Sequence, residues 1–278
     1  MESKKALVET KKALLSFTYS VPEKFKGVNL PNYPVQIIPY SRTRINEREI
    51  ICYPKLEKNI GGVVHVAYLC HPFGKKFEQF ENINMLRTYR QLCERIKYNF
   101  LCHGPSNLFE MDNLARGMSV IREVFKGFSE KVIIEVPSFN SGMRMDIDEY
   151  IQKIVDEFPE EGFEICIDTA HLHANGCDSA KIIETCKKFS KYISTIHLNG
   201  NANEQFKTDL HIEIFNENSK LKNIKEMMTF FKESGYLMIA EVRRAEFGYN
   251  DWKTFADSYE IEIVEFSEKL ILKHEKVL

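Results

Sequence analysis

The sequence predicts a single-domain α/β protein folded as a (β/α)8 barrel. Eight short apolar runs are spread along the chain, and amphipathic segments of helical period separate the later runs. Eight strands with intervening helices in roughly 250 residues are typical of this barrel. We expect one domain over residues 1–278, with roughly the first ten residues disordered, as chain termini often are.

The predicted strands are short apolar runs, as expected for strands buried on both faces. They are Ala13–Thr18, Val35–Pro39, Val63–Ala67, Asn99–His103, Val132–Val136, Ile165–Asp168, Ser194–Leu198 and Leu237–Glu241. The predicted helices are Phe80–Lys97, Asp112–Phe128, Ile147–Phe158, Ser179–Phe189, Leu221–Ser234 and a final helix from Asp251 to Lys273. Four prolines between residues 22 and 39 indicate that a loop shortens or replaces the first helix.

A doubly wound open sheet is the structural alternative to the barrel. No G-x-G-x-x-G sequence follows the first predicted strand. Residues suited to metal binding also follow strands along most of the chain, and only in a closed barrel do all strand C-termini meet around one mouth. The barrel is therefore favoured.

Composition limits the class of protein. Apolar residues make up 44% and charged residues 28%, and the net charge of −2 argues against a surface that is basic throughout. The seven cysteines contain no C-x-x-C pair and are predicted to be reduced core residues. No apolar stretch reaches the roughly 20 residues of a membrane span, and the charged N-terminus does not resemble a signal peptide. We expect an intracellular, cytoplasmic or nuclear monomer that is not secreted.

Six of the apolar runs end on, or run through, a histidine or an acidic residue. These residues are His65, His103, Glu135, Asp168, His197 and Glu241. A buried carboxylate costs several kcal/mol unless a partner compensates it. One such residue is explained by local packing, for example a hydrogen-bonded core histidine or a carboxylate paired with a lysine. Six at equivalent strand positions indicate ligands that converge on metal ions.

Three further residues, His171, Asp209 and His211, lie close to these strand ends and bring the set to nine. All nine offer nitrogen or oxygen, which favours Zn²⁺ in a hydrolytic site, or Mn²⁺ or Fe²⁺, over a structural thiolate zinc. Nine ligands exceed the needs of one ion and suffice for two or three. Ions roughly 3.5–4 Å apart are suited to phosphoryl transfer. The remaining histidines match no such position and are predicted to be structural: His71, His173 and His274.

Several motifs resemble the endonuclease IV family of abasic-site nucleases. Residues 166–178 read C-I-D-T-A-H-L-H-A-N-G-C-D, which is similar to the family signature C-I-D-T-x-H-x-x-x-x-G-x-D. Residues 196–199 resemble its H-L-N-D segment, residues 209–211 its D-R-H, and residues 65–69 its H-x-x-Y-L. His103, Glu135 and Glu241 correspond to the second imidazole and the two strand-end glutamates of the family.

The resemblance implies a barrel holding three zinc ions. It assigns His65, His103 and Glu135 to one ion. It assigns the second to Asp168, His197 and Glu241, with Glu135 as a bridge, and the third to His171, Asp209 and His211. The implied reaction is hydrolysis of the DNA phosphodiester on the 5′ side of an abasic site, leaving a 3′-hydroxyl, with 3′-repair or exonuclease activity as a further option. Glu135 and Glu241 would also handle protons.

The resemblance also implies double-stranded DNA with abasic sites as the partner. Tyr68 corresponds to the family's minor-groove tyrosine, and Arg42 and Arg44 fall where the family carries a DNA-inserting arginine. Five further cations follow strand ends or the metal loop and are candidates for phosphate contacts: Lys75, Lys76, Lys207, Arg243 and Arg244. A tyrosine packed on its neighbours and solvated rim charges are the alternatives.

The chain departs from the family pattern in its loops. The family's N-terminal G-A-H-V-S is absent, and the segment after Glu135 reads V-P-S-F-N-S-G where the family has N-T-A-G-Q-G. Gly200 replaces the aspartate of H-L-N-D, and N-E-N-S at residues 216–219 replaces a G-E-G-N turn. The ligand set is therefore retained while the loops that would read DNA differ.

Two other functions compete with the nuclease. Sugar isomerases and epimerases of the related xylose-isomerase-like barrels typically need one or two ions and a polar sugar pocket. The additional His171, Asp209 and His211, and the pairing of His65 with Tyr68, favour the nuclease. A non-catalytic DNA-binding protein on the same barrel would have lost one or more ligands, and all nine positions are filled.

Overall fold

Eight parallel strands close into a barrel in the computed structural model, which describes residues 12–21, 30–39, 50–66, 72–74, 80–139, 143–159, 161–241 and 245–264. The barrel strands are β1 (Leu14–Val21), β2 (Gln36–Pro39), β3 (Val63–His65), β4 (Asn99–His103), β5 (Val132–Val136), β6 (Phe163–Asp168), β7 (Ile193–His197) and β10 (Leu237–Ala240). Each strand pairs with the next in this order, and β10 pairs with β1. The predicted (β/α)8 barrel is confirmed, and an open sheet is excluded.

Helices connect the later strands and cover the outside of the barrel. They are α1 (Phe80–Ile96), α2 (Leu108–Asp112), α3 (Leu114–Val124), α4 (Ile147–Asp156), α5 (Thr169–Ala174), α6 (Ser179–Lys188), α7 (Ile224–Ser234) and α8 (Ala245–Ser258). Aspartates cap three of them: the side chains of Asp146, Asp168 and Asp178 accept backbone hydrogen bonds from the first turns of α4, α5 and α6. A short hairpin, β8 (Gly200–Asn201) with β9 (His211–Ile212), follows β7 at the C-terminal end of the barrel.

The apolar side chains form two separate clusters. The larger one lies between the strands and the surrounding helices and includes Tyr150, Phe231 and Trp252, all fully buried. A second, small cluster fills the inside of the barrel, where no helix reaches. Its buried members are Val63, Leu101, Ile133, Cys166 and Ile239. The inside of the barrel is thus a packed layer, and the mouth lies directly above it.

Two predicted helices differ from the observed ones. The helix predicted over 112–128 is observed as α3, which begins after Asn113 and ends at Val124, and the short α2 before it was not predicted. The final helix, predicted to continue to residue 273, ends at Ser258 because Glu260 adopts a left-handed φ of 53°. The chain then forms β11 (Glu262–Ile263), which pairs with β1. Residues 265–278 and 22–29 lie outside the described ranges, so the remainder of that prediction and most of the predicted first loop are untested.

The predictions from composition can be compared with the same ranges. The six cysteines that the structure describes are unbridged, and five of them are buried, in line with the prediction of reduced core residues; Cys70 lies outside these ranges. Within the described helices, none is both long enough and apolar enough to cross a membrane.

Candidate metal centre

The nine predicted ligands surround the mouth of the barrel; together they are called the mouth cluster. Side chains two positions apart on a strand point to the same side. Each apolar residue of the inner layer accordingly stands two positions before a predicted ligand. The pairs are Val63 and His65, Leu101 and His103, Ile133 and Glu135, Cys166 and Asp168, and Ile239 and Glu241. Strand periodicity therefore gathers residues that are distant in sequence.

The strand register places two pairs of these side chains directly opposite each other. His103 on β4 stands opposite Glu135 on β5, and Asp168 on β6 stands opposite His197 on β7. In parallel strands with this register, opposite residues have side chains that are neighbours on one face. Three groups of donor atoms result, and within each group all donor atoms lie within 4.8 Å of one another.

The first group contains His65, His103 and Glu135. Glu135 Oε2 lies 3.0 Å from His65 Nε2 and 3.4 Å from His103 Nε2. The other ring nitrogen of His65, Nδ1, lies 2.9 Å from the carbonyl oxygen of Val66 and can donate to it. In that tautomer the lone pair is on Nε2, which faces the group, as required of an imidazole ligand.

The second group contains Glu135, Asp168, His197 and Glu241. His197 Nδ1 lies 3.2 Å from Glu135 Oε1, 3.2 Å from Glu241 Oε2 and 3.8 Å from Asp168 Oδ2. Three carboxylates therefore face one imidazole nitrogen in a site that is almost closed to solvent. Glu135 belongs to both the first and the second group, the position that a bridging carboxylate occupies.

The third group contains Asp168, His171 and His211. The Oδ1 atom of Asp168 accepts the backbone N–H of His171 at 2.9 Å and so caps α5, which fixes the imidazole beside the carboxylate. Asp209 lies next to both imidazoles, with Oδ2 3.2 Å from His211 Nε2 and 3.8 Å from His171 Nε2. Asp209 thus contacts both imidazoles without belonging to the group, and Asp168 is the carboxylate within it.

Several buried polar atoms of the mouth cluster have no hydrogen-bond partner among the described residues. They are Glu135 Oε1, His197 Nδ1 and His211 Nε2. Within the same ranges, the ion pairs of the four carboxylates are formed with imidazoles, and none is formed with a lysine or an arginine. A buried carboxylate without a cation is costly. Divalent ions bound by these oxygen and nitrogen atoms would remove that cost, so the donor set fits metal ions.

The protonation states are consistent with this fit. Burial alone would raise the pKa of Glu135, but its contacts with His197 and His171 outweigh burial and hold the pKa well below its usual range, so this carboxyl is ionised. Burial lowers the pKa of His103 to about 3, which leaves a neutral imidazole whose lone pair can bind a metal ion. For His171 burial acts in the same direction, but the carboxylates of Asp168 and Glu135 outweigh it and raise the pKa to about 10. A bound cation would replace the proton that these carboxylates attract.

Gln36, at the start of β2, holds two members of the mouth cluster and was not identified from the sequence. Its Oε1 accepts a hydrogen bond from His197 Nε2 at 2.8 Å, which directs the Nδ1 lone pair of His197 into the second group. Its Nε2 donates to Glu241 Oε1 and leaves Oε2 facing His197. The available signal was a single polar residue in the apolar run Val35–Pro39.

Asn199 supports the carboxylates from the other side, and it too was not identified as a site residue. Its Nδ2 donates to Asp168 Oδ2 at 2.7 Å, and its Oδ1 accepts the backbone N–H of Glu241 at 3.1 Å. The asparagine of the H-L-N segment therefore links β6 to the end of β10. Its place shortly after His197 was visible in the sequence, but its partners depend on the closed barrel.

Most of the other predicted site residues lie outside the part of the chain that the structure describes. The proposed DNA contacts Tyr68, Arg42 and Arg44 lie outside the described residues, as do Lys75, Lys76, Arg243 and Arg244. Lys207 lines a cleft beside His171 and Asp209. His173 is buried, lies 3.2 Å from the side-chain nitrogen of Asn201 and belongs to none of the three groups.

No protein-family model and no curated protein matches this sequence. Solved structures do match. Endonuclease IV from Thermus thermophilus is 12% identical with a TM-score of 0.65, over 88% of this chain and 99% of that one. A D-tagatose 3-epimerase-like protein is 16% identical with a TM-score of 0.65, over 88% and 98%. The IolI protein, whose crystal structure contains a zinc atom, is 14% identical with a TM-score of 0.60, over 88% and 98%.

At these identities the similarity establishes the fold and leaves the activity open. The same barrel is found in a nuclease, in an epimerase-like protein and in a zinc-containing protein. The chain is therefore a barrel of this type with three groups of residues that could hold metal ions at its mouth.

Proposed function

We propose that this protein is a metal-dependent endonuclease that cleaves double-stranded DNA on the 5′ side of abasic sites. The observation that carries the proposal is the third group of donors. His171 and His211 stand beside Asp168 and Asp209, next to the two groups that share Glu135. Isomerases and epimerases on this barrel need one or two ions, whereas three adjacent groups match the resemblance to endonuclease IV.

The proposed ligands follow the three groups. Zn²⁺ is the preferred ion because all donors are imidazole nitrogens or carboxylate oxygens, and Mn²⁺ or Fe²⁺ are the alternatives. His65, His103 and Glu135 would hold one ion, and Asp168, His197 and Glu241 a second one that shares Glu135. His171, His211 and Asp209 would hold the third. Bound divalent ions would make water a better nucleophile at neutral pH and neutralise charge on the phosphate oxygens.

The carboxylates of Glu135 and Glu241 are proposed to handle the proton of the attacking water. Glu135 Oε1 has no hydrogen-bond partner among the described residues, and Glu241 Oε2 faces the same space because Gln36 occupies its Oε1. The oxygen of the water forms a bond to phosphorus as the bond from phosphorus to O3′ breaks. The departing O3′ takes up a proton and becomes the 3′-hydroxyl, and the phosphate stays on the abasic sugar.

A metal-dependent sugar epimerase is the second candidate. The observation in its favour is the D-tagatose 3-epimerase-like structure, whose TM-score of 0.65 equals that of endonuclease IV. One carboxylate pair and one ion would be enough for such an enzyme. His171, Asp209 and His211 would then have no evident role in binding or catalysis. The proposed DNA contacts Tyr68, Arg42 and Arg44 would likewise have no task.

The test combines metal analysis with a cleavage assay. The purified protein is analysed for zinc and incubated with a duplex that carries one tetrahydrofuran abasic analogue, with and without a chelator. We expect about three zinc ions per chain, incision 5′ to the analogue, and loss of incision with the chelator. Glu135→Gln should lose both metal and incision, because one carboxylate oxygen then becomes an amide in two groups.

Asp148→Asn is the matched control, since it makes the same chemical change in another buried carboxylate, whose partners are Thr185, Lys181 and Lys188 and not the imidazoles of the mouth cluster. It should retain metal and incision. Metal-loaded protein that converts a ketose and leaves the duplex intact would establish the epimerase instead. Protein that binds the duplex without cleaving it, while fully loaded, would establish a non-catalytic DNA-binding protein.

A further inference from the structure

A large cleft adjoins the mouth cluster on the side of β4, β5 and the β8–β9 hairpin. Its volume is about 1050 Å³, at the upper end of ordinary ligand pockets. Its lining includes His103, His171 and Asp209 of the mouth cluster and also Phe139, Arg144 and Phe206. We call it the side cleft. A ligand whose phosphate reached the mouth cluster would extend its next group into this space.

Phe206 stands at the rim of the side cleft in an unusual conformation. Its side chain is 64% exposed, and its backbone φ is 60°, in the left-handed region that a bulky residue rarely adopts. The backbone is held there by a hydrogen bond from its N–H to the carbonyl of Ala174 at 2.8 Å. An aromatic ring that is exposed to water and also carried on a strained backbone gains little for the fold, which indicates a functional use.

The ring is nevertheless fixed in position. The ring packs on Gly176. A Cβ added at position 176 would come within 2.3 Å of the ring, so the ring can take this position only because residue 176 is a glycine. The Arg144 guanidinium carbon lies 5.6 Å from the ring centroid, within the range of a cation–π contact. Lys207, the next residue in the chain, also lines the cleft. An exposed aromatic ring with a guanidinium and a lysine beside it provides the elements that bind unpaired bases.

We propose that Phe206 and Arg144 form a stacking site for one unpaired nucleobase of the strand whose phosphate lies at the mouth cluster. The base would lie against the exposed ring, and the guanidinium and Lys207 would face the adjoining phosphate. This inference rests on the proposed nuclease function and specifies which part of the substrate the side cleft receives. A sugar could also pack on an aromatic ring, and the test separates the two.

The experiment uses Phe206→Trp in the metal-loaded protein as a fluorescent reporter. It is titrated with an undamaged thymidine oligonucleotide, with a tetrahydrofuran oligonucleotide of the same length that lacks bases, and with a ketohexose. Wild type reports the background, since its one tryptophan, Trp252, is fully buried. We expect the thymidine oligonucleotide to quench the new tryptophan, and the other two to leave it unchanged.

Phe206→Gly tests the energy of the contact without endangering the fold, because glycine adopts a left-handed φ at little cost. Loss of one base stack should weaken binding of the thymidine oligonucleotide roughly tenfold. Binding of the baseless oligonucleotide should stay the same. Equal effects on the two oligonucleotides would overturn the proposal, and quenching by the ketohexose would reassign the side cleft to a sugar.

The two proposals fail in different ways. Incision at an abasic site together with base-independent binding would leave the nuclease standing and remove the stacking site. Base-dependent quenching together with an intact abasic duplex would do the opposite.

Discussion

Two regions of this barrel bury carboxylates, and the side chains that pair with those carboxylates differ between the regions. At the mouth, Glu135 is fully buried and faces the imidazoles of His65, His103, His171 and His197. Its Oε1 has no hydrogen-bond partner among the described residues. Among the described residues, this region has oxygen and nitrogen atoms that could bind cations, and no lysine or arginine pairs with its carboxylates.

On the outside of the barrel, Asp148 on α4 is also buried but is fully compensated. One oxygen accepts a hydrogen bond from Thr185 at 2.7 Å, and the other contacts Lys181 at 3.0 Å and Lys188 at 3.1 Å, all from α6. Two lysines and a hydroxyl are what a structural carboxylate requires. Burial of an acid is therefore weak evidence for a metal site, and the identity of its partners decides between the two cases.

The largest effect expected from this difference is stabilisation by metal. An ion at 1,000 times its dissociation constant adds about 4 kcal/mol of stability per site. For a chain of 278 residues this corresponds to a rise in Tm of roughly 7 °C per ion. Calorimetry of chelator-treated protein with and without zinc measures it. Asp148→Asn should show the same rise, and a Tm that does not respond to any divalent ion would remove the distinction between the two regions.

A smaller effect is expected from Gln36→Leu, which leaves His197 Nε2 and Glu241 Oε1 without their shared partner. Loss of such a supporting contact typically weakens metal binding by roughly 10–100-fold. Competition with a chelator of known affinity measures the change. The control is Thr195→Val. Thr195 is buried on the same strand, two positions before His197, and its hydroxyl forms a hydrogen bond with the hydroxyl of Ser194. Equal affinities of the two variants would show that Gln36 does not position the ligands.

Asp148→Asn should destabilise the fold while leaving metal binding unchanged. Hydrogen bonds to a charged group contribute roughly 1.5–3 kcal/mol, and we expect about 1–2 kcal/mol here because Lys188 is 52% exposed and partly screened by water. Urea unfolding of the metal-loaded protein gives the value. If the variant lost metal instead, Asp148 would belong functionally with the mouth cluster.

The sequence was sufficient to predict the barrel because each strand is a short apolar run with a clear end. It also indicated which strand ends carry the polar residues of the mouth, since a residue such as Glu135 at the end of a buried strand has no ordinary reason to be there. Strand periodicity then determines that these side chains share one face, and closure of the barrel determines that they meet. These steps require no knowledge of loops.

Other features depend on contacts between distant segments and could not be predicted. Gln36 reaches Glu241 across 205 positions of sequence, and only closure of the barrel makes them neighbours. The left-handed backbone of Phe206 is set by a hydrogen bond to Ala174 and by the space at Gly176, which no local pattern reveals. The end of α8 was also missed, because a left-handed Glu260 follows an apolar pattern that would suit a longer helix.

The smallest expected effect is a difference in how the two regions respond to pH. Burial alone would raise the pKa of Asp148, but Thr185, Lys181 and Lys188 hold it below its usual value. Its contribution to stability is therefore complete above the unfolded-state pKa of about 4 and is lost as pH falls through the lower folded-state pKa. The difference in unfolding free energy between wild type and Asp148→Asn should be constant from neutral pH down to about pH 5 and shrink below about pH 4.

Urea unfolding of both proteins in chelator at a series of pH values tests this, since the imidazoles of the mouth cluster titrate in both proteins and cancel in the difference. A difference that changed between about pH 5 and 8 would contradict it, because the Asp148 carboxyl is ionised there in both the folded and the unfolded state and only coupling to other groups could change the difference. With the expected result, protons control the outer carboxylate and the inner ones are left for metal ions, because within the described ranges lysines lie beside the outer carboxylate and not beside the inner ones.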